Sequence, residues 1–131
     1  SNNILSQIAY LQKRYEVVLA HSETSLRLEK TLGNRWSMGF SLVNLGRVAY
    51  ALGDYATARA RYEESLAIRA EMQDERGQGL CRMYLGDTAV ASENPAEARQ
   101  QYQQSAAIFR RIGDQATVER LNGRLASLAD S

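Results

Sequence analysis

The sequence predicts an all-α protein built from repeated antiparallel helix pairs, and three observations predict it. A pattern recurs along the chain at an offset of about 40 residues, within the spacing of helical repeat units. Apolar residues fall at helical intervals, and no run has the two-residue alternation of a strand. Short breaks with helix-stop and helix-cap chemistry divide the helical runs.

The recurrence is clearest from Gly39 to Asp74. Leu45-Gly46 returns as Leu85-Gly86, Ala49 as Ala89, and Ala58-Arg59 as Ala98-Arg99. Tyr62, Ser65 and Ile68 return as Tyr102, Ser105 and Ile108. A fainter copy lies upstream, with Leu5, Ala9, Tyr15, Ser25 and Leu28 at matching places.

Taken in order, the first unit (1–33) is expected to hold a truncated helix from Asn3 to Gln12. Ile4, Ile8 and Leu11 share one face of it, and a partner helix from Tyr15 to Leu32 follows. The opening turns found after Asn34 and Asp74 have no counterpart here. The chain therefore reads as a fragment of a larger protein, with a scar at Ser1-Asn2.

In the second unit (34–73) the first helical run goes from Ser37 to Leu52, with Phe40, Val43, Leu45, Val48, Ala49 and Leu52 at helical spacing. Gly53 suits a left-handed helix stop, and Asp54 can cap the helix that begins at Tyr55. The third unit (74–113) makes the same break with Asn94-Pro95, where Asn caps and Pro takes the first helical position, which needs no amide donor. The last segment (114–131) is one helix, Gln115 to Ala129, with Val118, Leu121, Leu125 and Leu128 on one face. One apolar and one polar face suit the end of a stacked array.

Gly46 and Gly86 sit mid-helix, where glycine costs roughly 1 kcal/mol relative to alanine. A cost repeated at equivalent places predicts close helix approach, with Tyr62 and Tyr102 as large knobs filling the neighbouring volume.

This order of small and aromatic residues resembles the tetratricopeptide repeat. Leu45-Gly46, Gly53-Asp54-Tyr55, Ala58, Tyr62 and Ser65 match that family's pattern in order and spacing. The unit is longer than the family's usual one of about 34 residues. It resembles the variant found in bacterial signal-transduction ATPases, transcription regulators and cyclase-linked proteins. The resemblance is strong from Leu32 to Asp114 and weak before Lys30. It implies a solenoid of about seven antiparallel helices with a right-handed superhelical twist.

Composition narrows the function. The chain has 131 residues, 44% hydrophobic and 24% charged, with a formal charge of +1. A near-neutral chain with acids among its arginines is a poor fit to binding through phosphate attraction, so no nucleic-acid partner is expected. No apolar run approaches the ~20 residues that span a bilayer, and no membrane partner is expected. His21 is the one histidine and Cys81 the one cysteine, and their separation offers neither a catalytic pair nor a zinc site. Cys81 reads as a buried filler and His21 as a surface residue. No Gly-Lys-Ser/Thr signature cradles phosphate. The chain is expected to be no enzyme and to carry no cofactor or metal.

By resemblance, the first helix of each unit lines the concave face. Three rows follow: Asn3, Val43, Met83 and Gly123; Gln7, Arg47, Asp87 and Ser127; and Tyr10, Tyr50, Val90 and Asp130. Phe40 and Leu80 lie nearer the helix starts, flanked by Asn44 and Tyr84. The expected protein- or peptide-binding residues are thus Tyr10, Phe40, Val43, Asn44, Arg47, Tyr50, Leu80, Met83, Tyr84 and Asp87. A second reading stays open for the same residues. Phe40, Val43, Leu80 and Met83 would pack between first helices, and Arg47 would pair with Asp87. Trp36 is expected to cover the preceding unit near Leu32.

The resemblance implies a cytoplasmic interaction module, a regulatory or sensor part of a bacterial signalling protein, binding a peptide, a protein or a neighbouring domain. The alternative is a structural self-assembly element, with a homodimer through Ile4, Ile8 and Leu11 at the N-terminal end.

Overall fold

A computed structural model describes residues 2–129 of the chain. Ser1 and Asp130, both named above, lie outside the described residues. Six helices follow one another: α1 (Asn2–Leu32), α2 (Arg35–Ala51), α3 (Tyr55–Glu71), α4 (Glu75–Ala91), α5 (Pro95–Arg111) and α6 (Gln115–Ala129). Each packs on the next along the chain. The described residues contain no strand.

Local chemistry sets each break. Asn34, Asp54, Asp74, Asn94 and Asp114 each accept a hydrogen bond from the backbone N–H three residues on. These are the orphan donors that a helix start leaves open. The residue before each cap has positive φ: Gly33, Gly53 and Gly113, but also Gln73 and Glu93. Gly53 and Pro95 therefore act as the sequence predicts, whereas Gln73 and Glu93 hold a left-handed turn that glycine normally supplies.

The expected break in the first unit is absent, so the described residues form six helices rather than seven. Lys13-Arg14 stand where Gly53-Asp54 stand one unit later. Neither is a left-handed stop or an N-cap, and both are good helix formers. The segments expected as Asn3–Gln12 and Tyr15–Leu32 are consequently one helix of 31 residues. Only its C-terminal half meets the core, through Leu26 and Leu19 against Met38, Leu42, Leu45 and Ile68. Ile4, Leu5, Ile8, Tyr10 and Leu11 remain exposed.

Within each later pair, a tyrosine occupies the space a glycine vacates. A β-carbon on Gly46 would lie 2.6 Å from Tyr62 Cε1, and one on Gly86 2.5 Å from Tyr102 Cε1. Beside these contacts, buried Ser65 donates to the Gly39 carbonyl at 2.9 Å and Ser105 to the Gly79 carbonyl at 2.7 Å. Tyr62 joins Ala49, Ala58 and Leu85 in the middle of the array. Tyr102 belongs to the larger C-terminal cluster with Phe109, Val118 and Leu121.

Surface ion pairs repeat in register with their signs exchanged. Arg35 pairs with Glu71, and Glu75 with Arg111, at equivalent places in successive units. Exposed pairs of this kind contribute at most about 1 kcal/mol each.

Gly86→Leu drives a branched side chain into the Tyr102 ring and should cost about 1–3 kcal/mol by overpacking, despite its better helix propensity. Thermal melting of the variant checks this; a melting temperature at or above the parent's would contradict it.

Candidate functional site

Two cavities of about 420 and 410 Å³ open along α2 and α4. They share Asn44, Arg47 and Tyr84, and so form one continuous groove. The first cavity is closed on one side by Tyr15 and Val18 of α1 and reaches Tyr50, Tyr62 and Asp87. The second runs past Phe40, Val43 and Leu80 to Trp36, Arg69 and Arg76.

The groove follows from helical spacing. Phe40, Val43, Asn44 and Arg47 lie three or four residues apart, as do Leu80, Tyr84 and Asp87, so each set shares a helix face. Tyr84 stacks on Tyr62 with ring centroids 5.3 Å apart and 21° between planes. That stack joins the buried Gly46–Tyr62 contact to the groove wall.

Arg47 is exposed at the junction of the two cavities and makes no ion pair among the described residues. The pairing with Asp87 left open by the sequence is not made. Asp87 instead accepts from the Tyr102 hydroxyl and, at 3.0 Å, from Arg124 Nε on α6.

Eight of the ten expected site residues line the groove, and two do not. Met83 is buried in the C-terminal core cluster, so for this residue the packing alternative holds; Leu80 and Val43 line the groove but are also partly buried against core clusters. Tyr10 lies far along α1, over a separate depression with Lys13, Arg14, Val17 and Val18. The unbroken helix carries it away from α2.

Residues not expected from the sequence also contribute. Arg69 is 7% exposed where the repeat register has the fully buried Phe109 one unit later. Its guanidinium pairs with Asp74 at 2.6 Å and lies 4.5 Å from the Phe40 ring centroid. Gly77 leaves the room this pair needs, since a β-carbon there would collide with both side chains. Trp36 meets Phe40 edge-on and sits beside Arg69, while Leu32 stays 72% exposed, so it does not cover the preceding unit as expected. The unlike residues at this register position, Glu29, Arg69 and Phe109, were the available signal for this end of the groove.

Burial, then the charge of Asp87, raises the Tyr50 hydroxyl above its ordinary pKa. Burial first, with the neighbouring Tyr84, pushes Tyr62 well above the tyrosine range. Tyr102 is raised likewise, by burial and then by its hydrogen bond to Asp87. Burial also raises the Cys81 thiol, which sits beside Ser65. His21 lies on the surface. Among the described residues, no group of three or more metal-ligating side chains gathers.

An array of stacked helix pairs with a groove along its first helices defines a helical-repeat scaffold. Residues 1–71 match the tetratricopeptide repeat family, more than half of the chain, and the chain belongs to that family. No curated protein matches it. Repeats of this family generally mediate protein–protein interaction and are typically non-catalytic. Among the described residues, no helix is long and apolar enough to cross a membrane.

Asp87→Ala leaves a part-buried tyrosine hydroxyl and Arg124 without their acceptor, and should destabilise the fold by about 1–3 kcal/mol. Urea denaturation reads this directly, and a loss below that range would remove the structural role given to Asp87. The tyrosine shifts predict alkaline lability. A folded pKa raised above the unfolded value stabilises the fold below the unfolded pKa of about 10, and that contribution fades as pH climbs beyond it. Stability measured across this range should fall, and Tyr62→Phe should flatten the fall.

Proposed function

We propose that the groove binds a protein or peptide segment carrying apolar anchors and one carboxylate. The observation that carries this reading is Arg47, an exposed and unpaired cation at the point where two apolar-walled cavities join. Phe40, Val43 and Leu80 offer an apolar floor on one side of it, and Tyr50 and Tyr84 offer aromatic edges on the other. Tyrosine and arginine are the residue types most often found as binding hot spots. Asp87 opposes a bound acid weakly, because Arg124 and Tyr102 already occupy it.

The long repeat unit favours a regulatory or sensor role within a larger bacterial signalling protein, acting in the cytoplasm on a partner or a neighbouring domain. A second reading, self-assembly, is favoured by one observation: Ile4, Leu5, Ile8 and Leu11 of α1 stay exposed among the described residues.

Selection from a displayed random-peptide library against the purified chain tests the groove. Enriched peptides should combine two or three apolar anchors with an acidic residue. Arg47→Ala and Tyr50→Ala should each weaken their binding by about 1–3 kcal/mol, within the hot-spot range. Each should leave stability within roughly 1 kcal/mol, as for a substitution outside the core. Peptides whose affinity ignores both substitutions would remove the groove from the reading.

A further inference from the structure

The repeat register exposes a mismatch between what α1 is built for and what it touches. Residues 3–12 correspond to the first helix of a pair and residues 15–32 to the second. In later units these two lie side by side. In α1 they lie end to end, because Lys13-Arg14 replace the turn.

Each half therefore keeps a face that its equivalents bury. Leu5 is 67% exposed, whereas Leu45 is 2% exposed. On the other half, Val18 is 42% and Leu28 58% exposed, whereas Ala58 and Ile68 are 0% and 5%. Ser25 is exposed where Ser65 and Ser105 are fully buried. None of these positions carries a charge. The uncovered stripe also continues, through Tyr15 and Leu19, the face by which Leu26 already packs on α2.

The pairing that later units make across Gly46–Tyr62 and Gly86–Tyr102 falls, in the first unit, on Ser6 and Ser22. Both members of the pair have changed together. Ser22 is 8% exposed in the single chain, so the exchange would add to a contact it already makes. The two halves of α1 thus hold the register positions of one helix pair, yet they cannot meet within one straight helix.

We infer that two copies of this chain pair antiparallel through α1, each laying residues 3–12 on residues 16–25 of the other. This rests on the self-assembly reading and gives it a register. Ala9 of one copy meets Val18 of the second, as Ala49 meets Ala58, and Leu5 lies beside Ser22 and Ser25. The exchange also completes the groove. Val18 and Tyr15 already form one side of its first cavity. The exchanged helix brings Gln7 and Tyr10 of the second copy into the rows that Arg47 and Tyr50 continue.

Two variants of the full chain test this. Lys13→Gly with Arg14→Asp restores the turn chemistry of Gly53-Asp54 and should let α1 fold back on itself. Sedimentation should then show the parent as a dimer at micromolar concentration and the double variant as a monomer of half the mass with retained helicity. The second variant combines Ala9→Cys with Val18→Cys. On one continuous helix these positions are about 13 Å apart, at 1.5 Å per residue, beyond disulfide reach. Native Cys81 is fully buried. Oxidation should give a covalent dimer, and this readout decides alone if the turn variant loses its helical signal. A parent that stays monomeric would overturn both the exchange and the self-assembly reading. A dimer that survives the restored turn without covalent dimer formation would overturn the exchange alone, leaving assembly through another face. A bond formed within one chain would overturn it too, showing that α1 closes as a hairpin.

Discussion

A tyrosine ring pressed against a helix backbone, where a β-carbon would otherwise stand, sets the spacing of this array. The contact occurs at Gly46–Tyr62 and again at Gly86–Tyr102. Each glycine costs helix stability, and each is justified because two helix axes can then come close with a large ring filling the space between. The serine bonds to Gly39 and Gly79 hold the same helix pairs together nearer the other end. With two separated fixed contacts, the paired helices have little freedom to slide or rotate. The α2 and α4 faces that line the groove are positioned by these contacts.

The packing and the groove are therefore coupled. Tyr62 is buried against Gly46, yet its ring stacks on Tyr84, which lines both cavities. Tyr102 is buried against Gly86, yet its hydroxyl engages Asp87 at the groove edge. Asp87 in turn holds Arg124 of the last helix. A chain of contacts thus runs from the C-terminal helix to the groove wall, and it leaves Arg47 as the cation available to a partner.

Where a unit departs from the repeat, the structure changes character. Arg69 in the place of Phe109 turns a core position into a buried ion pair beneath aromatic rings, and the groove opens there. Lys13-Arg14 in the place of a glycine and a cap turn a hairpin into a single long helix. Both changes put charged, helix-favouring residues where the next unit along carries an apolar residue or a turn.

The sequence by itself determined the all-helical architecture, the breaks at Gly53-Asp54 and Asn94-Pro95, and the tyrosine–glycine packing, because each depends on chemistry within a few residues or on a repeat that can be aligned by eye. Most of the groove was legible for the same reason: Phe40, Asn44, Arg47 and Tyr84 share helix faces by spacing alone. The first unit was misread because weak similarity at Leu5 and Ala9 outweighed the missing turn residues at Lys13-Arg14, although helix propensity there already favoured continuation. Other features were decided by tertiary structure alone. Met83 has the same helical spacing as its groove-lining neighbours, and only the presence of α5 and α6 buries it. Asp87 could have paired with Arg47, and the placement of α6 gave it Arg124 instead. Periodicity says which residues share a face of a helix, but what meets that face depends on where distant helices come to rest.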